Sequence, residues 1–169
     1  MNDVPSGAAA TIRPAVSADG DGIARIFLES AEFHAGLDPE RYAMPAAEMI
    51  AARYREGRQH PSDERSEAIT FVAELAGSIV GFVDTRLQRS PDPMHRDLVY
   101  CHVVEIAVSS RHRGQGIGRR LLHAAEAWGR GHGAQLASLE YLAANTRAST
   151  FYQQRMGYRV AAIVAIKRL

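Results

Sequence analysis

The sequence predicts one mixed α/β domain in which a central sheet carries helices on both faces. A chain of 169 residues suits a single domain and can bury a sizeable core. Residues 68–87 form a hairpin pattern, with two apolar runs around Ala76-Gly77. Residues 98–142 show a strand pattern, a glycine-rich loop, a helical pattern and another strand pattern. A hairpin and a strand–helix–strand crossover in one chain together predict a mixed sheet.

The first half of the chain contains patterns for three strands and two helices. Residues 11–14 predict a short strand, and Asp19 or Asp21 can cap the helix that follows. The apolar face of that helix consists of Ile23, Ile26, Phe27 and Ala31. Residues 46–56 predict a second helix, and 57–67 a polar loop. The strands are predicted at 68–75 and 78–87, where Gly81 indicates a bulge or a close backbone approach.

The second half begins with a long, mostly apolar run at 98–109, which is typical of a central strand. A helix is then predicted from Ile117, and three glycines, Gly129, Gly131 and Gly133, are expected to end it. Residues 135–142 predict a strand and 146–156 a helix. Residues 158–168 are expected to contain a last strand or strand pair. The predicted apolar face of the first of these helices is Ile117, Leu121, Ala125 and Trp128, with Leu122 beside it.

Composition excludes several classes of function. The net charge of +1 gives no global reason to expect nucleic acid or a membrane surface as partner. No segment approaches the length of an apolar membrane helix, and residues 1–10 do not resemble a signal peptide; 1–9 are expected to be flexible. Cys101 is the single cysteine, so we expect a buried thiol and a reducing, cytoplasmic compartment. The seven histidines lack metal-ligand spacing, and no metal is expected.

The loop at 113–118 is the most informative segment of the chain. It follows the apolar run Val103-Val104-Glu105-Ile106-Ala107-Val108 and opens directly into the helix from Ile117. Glycines leave backbone N–H groups accessible to an anion, and a helix N-terminus adds unpaired donors and about half a positive charge. The segment Arg113-Gly114-Gln115-Gly116-Ile117-Gly118 therefore predicts a phosphate or pyrophosphate site.

Three kinds of phosphate-binding loop are candidates for this segment. A P-loop requires Lys and then Ser or Thr after its last glycine, where this chain has Arg119-Arg120. A dinucleotide fingerprint requires G-x-G-x-x-G, which the glycines at 114, 116 and 118 do not match. The third pattern, R-x-x-G-x-G, is matched by Arg113, Gly116 and Gly118. On this loop alone, an ordinary strand–helix turn stays an equal alternative.

The third pattern resembles the pyrophosphate loop of the GNAT superfamily of N-acetyltransferases, which bind acetyl-CoA. Residues 145–158 are similar to the family's N-x-x-A-x-x-F-Y-x-x-x-G-F segment, with Tyr158 in place of the usual Phe. Residues 105–108 are similar to its E-L-x-V strand. The motifs cover 98–160, whereas 10–90 agree only in the order of elements. The resemblance implies one domain over 1–169, with a mostly antiparallel sheet of about six or seven strands.

The resemblance also implies which residues hold the cofactor. Backbone groups of Ile106, Ala107 and Val108 would bind the thioester and pantetheine, and Asn145 would bond the pantetheine arm. An Asn before a helix is also an ordinary N-cap, and both roles are compatible. The pyrophosphate would be held by Arg113, Gly114, Gln115, Gly116, Ile117 and Gly118, with Arg119 as a charge partner.

Two residues are candidates for the proton transfers of the reaction. Tyr152 matches the family's helix tyrosine, and a phenol is protonated at neutral pH, so it can protonate the departing thiolate. Its alternative role is core packing beside Phe151. Glu105 is the candidate base, because a carboxylate in an apolar strand is costly to bury without a purpose. Its alternative is a salt bridge to an arginine, and alternation places it on the opposite face from Ile106 and Val108 unless a bulge intervenes.

These features predict an acetyl-CoA-dependent N-acetyltransferase that moves the acetyl group directly to a primary amine in a ternary complex. The alternative is a non-catalytic, acyl-CoA-binding regulatory module. In the family the acceptor pocket is shaped by the first helices and adjacent loops, here 29–54 and 90–97, which carry no specificity motif. A small amine, a peptide N-terminus and a lysine side chain all remain open. A homodimer and the use of longer acyl donors are not decided by the sequence.

Overall fold

The computed structural model describes residues 9–57, 67–90 and 92–168. The chain divides into two compact units, Met1–Leu139 and Glu140–Leu169. The prediction of one domain over 1–169 stays a prediction, and residues 1–8 lie outside the described part. The first unit contains β1 (Thr11–Pro14), α1 (Gly20–Leu37), α2 (Ala47–Arg55), β2 (Ala68–Leu75), β3 (Ser78–Arg89), β4 (Val99–Val108), α3 (Ile117–Gly131) and β5 (Leu136–Leu139). The second contains α4 (Thr146–Ser149), followed by a π-helical turn, Thr150–Arg155.

The sheet has the strand order β1-β2-β3-β4-β5. The strands β1 to β4 are antiparallel to one another in succession, and β5 lies parallel to β4. This confirms a mixed, mostly antiparallel sheet. The parallel pair follows from α3, because a helical crossover returns the chain in the same direction.

The described residues form five strands, fewer than the six or seven that were expected. Residues 158–168 form no strand. A strand exists only through ladder hydrogen bonds, and residues 158–168 pair with no strand of the sheet in the described part of the chain. The apolar side chains that predicted a strand are exposed instead: Val160, Ile163, Val164 and Ile166.

The β2–β3 hairpin forms as predicted. Ala76 and Gly77 both have positive φ angles, 49° and 75°, which match the twist of a tight two-residue turn. A register shift lies beside Gly81, and a Cβ at Gly81 would come within 3.1 Å of Ala107 O and of Leu121 Cδ1. Gly81 therefore lies both beside a bulge and at a close approach to the neighbouring backbone, which are the two roles that the sequence indicated.

Helices cover both faces of the sheet, as predicted. On one face, α1 and α2 bury apolar side chains around Phe82, which stacks on Phe27 and contacts Tyr54 edge-on. On the other face, α3 buries Leu121, Leu122 and Ala125. None of the helices in the described ranges is both long enough and apolar enough to cross a bilayer.

The helix α3 ends among the predicted glycines, but Gly129 has a different role. Gly129 lies inside α3, which continues to Gly131 with His132 as C-cap. A Cβ at Gly129 would come within 2.6 Å of Cys101 Sγ, so this glycine permits α3 to lie directly on β4. Gly133, with φ of 84°, supplies the left-handed residue after the helix. Cys101 is buried on β4, as predicted.

Candidate active site

A β-bulge in β4 determines where Glu105 points. Thr85 pairs with Val103 while Asp84 pairs with Glu105, so Val104 is an extra residue in β4. Val103 shares a face with its pair Thr85, and Glu105 shares the opposite face with Asp84. Glu105 thus faces α1, where the Ser30 hydroxyl donates a 3.1 Å hydrogen bond to its carboxylate. Without the bulge, Glu105 would point toward α3.

The same region marks the end of the β4–β5 ladder. The parallel pairing covers Tyr100 to Val103 of β4 and ends at Leu139 of β5. Beyond it, the β5-facing edge of residues 105–108 has no ladder partner in the described part of the chain. Ile106, Ala107 and Val108, which the family resemblance assigns to the pantetheine, lie along this edge. An open strand edge binds an extended ligand through main-chain hydrogen bonds.

The glycine-rich loop leads from β4 to α3 and is mostly exposed. Gly114 and Gly116 have φ angles of 80° and 77°, and Gly116 is the N-cap of α3. The N–H groups of residues 114–118 donate to no other described residue. Arg113 is anchored differently, since its Nε donates a 3.0 Å hydrogen bond to Val108 O. A row of free donors at a helix N-terminus fits a phosphate group.

Glu29 of α1 supports this loop, and sequence analysis did not identify it. Its carboxylate accepts a 2.8 Å hydrogen bond from Ser110 N–H and a 3.2 Å bond from the Ser109 hydroxyl. Partial burial would raise the pKa of Glu29, but these bonds and the nearby Arg113 lower it overall. Because 81 residues separate Glu29 from Ser110, no local sequence pattern could have predicted the contact.

Glu105 has an environment suited to proton transfer. Surrounding protein atoms raise its pKa to about 7, although the Ser30 hydrogen bond and the Arg53 charge act in the opposite direction. A carboxyl group with this pKa exchanges protons readily at neutral pH. The alternative role, a salt bridge, is not seen in the described part of the chain, where Arg53 pairs with Asp84 at 3.7 Å.

The second unit contains the other two candidate residues. Asn145 caps α4, since its side-chain oxygen accepts a 3.0 Å hydrogen bond from Ala148 N–H. Tyr152 is buried in the π-helical turn, with the rings of Tyr141, Phe151 and Tyr158 5.1 to 6.1 Å from its own. Tyr152 therefore packs within an aromatic cluster, which is the alternative role that the sequence indicated for it. The π-helical turn was not predicted, and such turns occur frequently at functional sites.

Comparison with known proteins connects this geometry to a family. The family model described as acetyltransferase (GNAT) family matches residues 33–158. A tetramutant of the BH1408 protein from Bacillus halodurans superposes with a TM-score of 0.81 at 21% identity, covering 94% of this chain and 99% of that one. An aminoglycoside N-acetyltransferase, AAC(6')-Iy, solved with CoA, gives a TM-score of 0.70 at 19% identity, with 98% of each chain covered.

A third similar structure is an aminoglycoside acetyltransferase from an uncultured soil metagenomic sample, in complex with sisomicin. Its TM-score is 0.65 at 16% identity, with 95% of each chain covered. Identities this low establish a common fold only. The family model is stronger evidence, since it spans most of the chain, including the β4 strand and the glycine-rich loop. The chain therefore belongs to the acetyltransferase (GNAT) family.

Proposed function

We propose that this protein is an acetyl-CoA-dependent N-acetyltransferase that transfers the acetyl group directly to a primary amine. The observation that carries the proposal is the row of free N–H groups at residues 114–118, where the loop opens into α3. These donors follow β4, whose open edge is assigned to the pantetheine arm. The partly buried Glu105 on the same strand is assigned to accept the proton of the amine. Family membership supports acetyl transfer in general, and the residue roles below are our assignment.

The donor substrate fits the first unit in two parts. The pyrophosphate of acetyl-CoA would accept hydrogen bonds from the loop N–H groups and gain from the positive end of the α3 dipole. Arg119, exposed on the first turn of α3, would add a positive charge. The pantetheine amides would pair with the open backbone edge of Ile106, Ala107 and Val108. Asn145 in the second unit is assigned to the same arm.

Acetyl transfer requires a neutral amine and a protonated leaving group. A primary ammonium has a pKa near ~10.4, so it must lose a proton before it can attack. Glu105 is assigned as the base that accepts this proton, directly or through a water. The amine nitrogen then forms a bond to the acetyl carbonyl carbon, and the carbon–sulfur bond breaks. Tyr152 is assigned as the acid that protonates the departing thiolate.

Tyr152→Phe tests the acid. The substitution keeps the ring in its aromatic cluster and removes only the hydroxyl. Turnover should fall by on the order of ten- to a hundredfold, with little change in CoA affinity. Tyr158→Phe is the matched control, because it removes a hydroxyl from the same cluster at a position where the family pattern has Phe. An unchanged rate in Tyr152→Phe would remove Tyr152 from the mechanism.

Gly116→Asp tests the loop. A carboxylate at this position would occupy the phosphate site and repel the pyrophosphate, so CoA binding should be lost. Gly116→Asn is the matched control, since it imposes the same left-handed backbone on a side chain of the same size without the charge, and it should bind CoA more tightly than Gly116→Asp. Retained CoA affinity in Gly116→Asp would refute the loop assignment.

The acceptor is assigned only to a class, amine-bearing compounds of small size or amines on a peptide. A cleft of about 420 Å³ beside α1 and α2 is lined by Arg25 and by four acidic side chains: Asp21, Glu29, Glu32 and Glu48. Arg55 pairs with Asp21 and Glu48, so Glu29 and Glu32 are the acids assigned to attract a cationic acceptor. A screen of aminoglycosides, polyamines and lysine peptides would identify the acceptor. The release of free CoA thiol measures acetyl transfer to each compound. Binding of acetyl-CoA without turnover on any amine would instead support the non-catalytic module.

A further inference from the structure

The sheet face that packs against α1 and α2 carries a second acidic residue, which has no role in the proposed reaction. Asp84 lies in the middle of β3 with only 1% of its surface exposed. It is the register partner of Glu105 on the neighbouring strand. Side chains of directly opposed residues lie on the same face, with Cβ atoms about 5 Å apart. The β4 bulge therefore does more than turn Glu105 toward α1, because it also places Glu105 beside a buried carboxyl group.

The hydrogen bonds around Asp84 leave it incompletely satisfied. Its Oδ1 accepts a long, 3.4 Å bond from the Thr70 hydroxyl. Its Oδ2 is buried and lacks a hydrogen-bond partner in the described part of the chain, as does the hydroxyl of Tyr54. The Arg53 guanidinium stands 3.7 Å from Oδ2. Within the described ranges, Glu105 receives a single hydrogen bond, from Ser30. Such weak satisfaction does not suit two buried charges.

The electrostatics favour one negative charge on the pair rather than two. The pKa of Asp84 is raised to about 7, and burial is the main cause. Arg53 and the Thr70 hydrogen bond lower this pKa, the nearby Glu105 raises it, and Arg86 lowers it. Two carboxyl groups on directly opposed residues repel each other when both are ionised, so they are expected to lose their protons in two steps that belong to the pair.

Few other titratable groups face the pair within the described residues. From α2 come Arg53 and Tyr54, and burial raises the pKa of the Tyr54 phenol so far that it stays neutral. From β3 comes Arg86. From α1, Ser30 bonds Glu105 and also lies 3.4 Å from His34 Nδ1, so His34 is one hydrogen bond further away.

We propose that Asp84 is a positioning residue whose charge is coupled to that of Glu105 across the β3–β4 ladder. The two carboxyl groups together hold one proton at neutral pH, and Glu105 therefore stays able to accept the proton of the acceptor ammonium. The pair carries one negative charge, which Arg53 balances. When the ammonium gives up its proton, the pair becomes neutral, so no second charge is buried. The proton returns to solvent after the acetylated product leaves. This inference rests on the proposed function, because it assigns Glu105 as the base.

The direct test is a ¹³C NMR titration of the Glu105 carboxyl carbon in the intact protein. The wild-type curve should show two steps, because Glu105 also senses the ionisation of Asp84. In Asp84→Asn the curve should become a single step, with its midpoint lower by about one pH unit or more. Tyr54→Phe, which leaves both carboxyl groups in place, should keep two steps. A single step in wild type, or an unchanged midpoint in Asp84→Asn, would overturn the proposal.

A pH–rate profile connects the pair to catalysis. The acidic limb of kcat/KM should move to lower pH in Asp84→Asn by the same amount as the NMR midpoint. Arg53→Met should move the acidic limb to higher pH, because it removes the cation that balances the pair. If Asp84→Asn does not fold, the direction of this shift tests the proposal instead. A limb that stays fixed while the NMR midpoint moves would refute the catalytic part of the proposal. Failure of the donor site would be seen separately, as lost CoA binding in wild type.

Discussion

The backbone N–H of Ser110 donates a 2.8 Å hydrogen bond to the carboxylate of Glu29, which lies 81 residues earlier in the chain. This bond joins α1, on the proposed acceptor side, to the turn that precedes the glycine-rich loop. The Ser109 hydroxyl adds a second bond to the same carboxylate. The position of the donor loop is thus set by a residue from the first helix as well as by its own glycines.

Glu29→Ala should weaken CoA binding several-fold, because the turn at Ser109 and Ser110 loses its anchor and the loop donors lose their fixed direction. Glu32→Ala is the matched control, one turn further along α1, and it should leave the affinity unchanged. Calorimetric titration of both variants with CoA measures the difference. Equal affinity in Glu29→Ala and wild type would show that the anchor does not position the loop.

Asp84 should make the stability of the protein fall as the pH rises. Its pKa of about 7 in the folded state lies above the unfolded value of about 3.9, so the folded state holds its proton more tightly between these limits. Its contribution to the free energy of unfolding is therefore fully present below about pH 4 and is lost as the pH approaches 7.

Asp84→Asn should remove this dependence. Relative to wild type, the variant should gain on the order of 2–4 kcal/mol between pH 4 and pH 8. Urea unfolding of both proteins across this range measures the difference. A constant difference between the two proteins would contradict the raised pKa of Asp84.

Gly129→Ala should destabilise the first unit by about 1–3 kcal/mol, since the added Cβ would lie 2.6 Å from Cys101 Sγ and force α3 away from β4. Gly131→Ala, two residues on, has open space around the new Cβ and gains helix propensity, so it should be neutral or slightly stabilising. Thermal unfolding separates the two. Equal melting temperatures would mean that α3 and β4 do not pack this closely.

Asn145 offers a way to separate a cap from a ligand contact. Asn145→Asp keeps an oxygen that accepts from Ala148 N–H but loses the amide donors. It should therefore keep the stability of the cap and weaken CoA binding. Asn145→Ala should lose both, with about 1 kcal/mol of stability. If Asn145→Asp binds CoA as tightly as wild type, the residue is a cap alone.

Periodicity and turn chemistry were sufficient to predict most of the fold. The alternation around Ala76-Gly77 predicts the hairpin, and the apolar spacing from Ile117 to Ala125 predicts the buried face of α3. Local signals fail where tertiary contacts decide. Gly129 looks like a helix end, but its purpose is a close approach to Cys101. Residues 158–168 have a strand-like pattern, but a strand also needs a neighbour to pair with.

The candidate site was predicted only in part, for the same reason. The glycine-rich loop and Glu105 are visible because backbone conformation and a charge in an apolar strand leave local marks in the sequence. Asp84 lies in an equally apolar strand, yet its pairing with Glu105 depends on strand register and on the bulge at Val104. Glu29 is one of several acidic residues of α1, and nothing nearby in the sequence distinguishes it.

The most direct test of the proposed function is calorimetric titration of wild type and Gly116→Asp with acetyl-CoA, using adenosine and CoA analogues that lack the pyrophosphate as controls. We predict micromolar binding to wild type, weaker binding of the analogues that lack phosphates, and no binding to Gly116→Asp. The absence of acetyl-CoA binding to wild type, or equal binding to both proteins, would contradict the account and leave the glycine-rich loop as an ordinary turn.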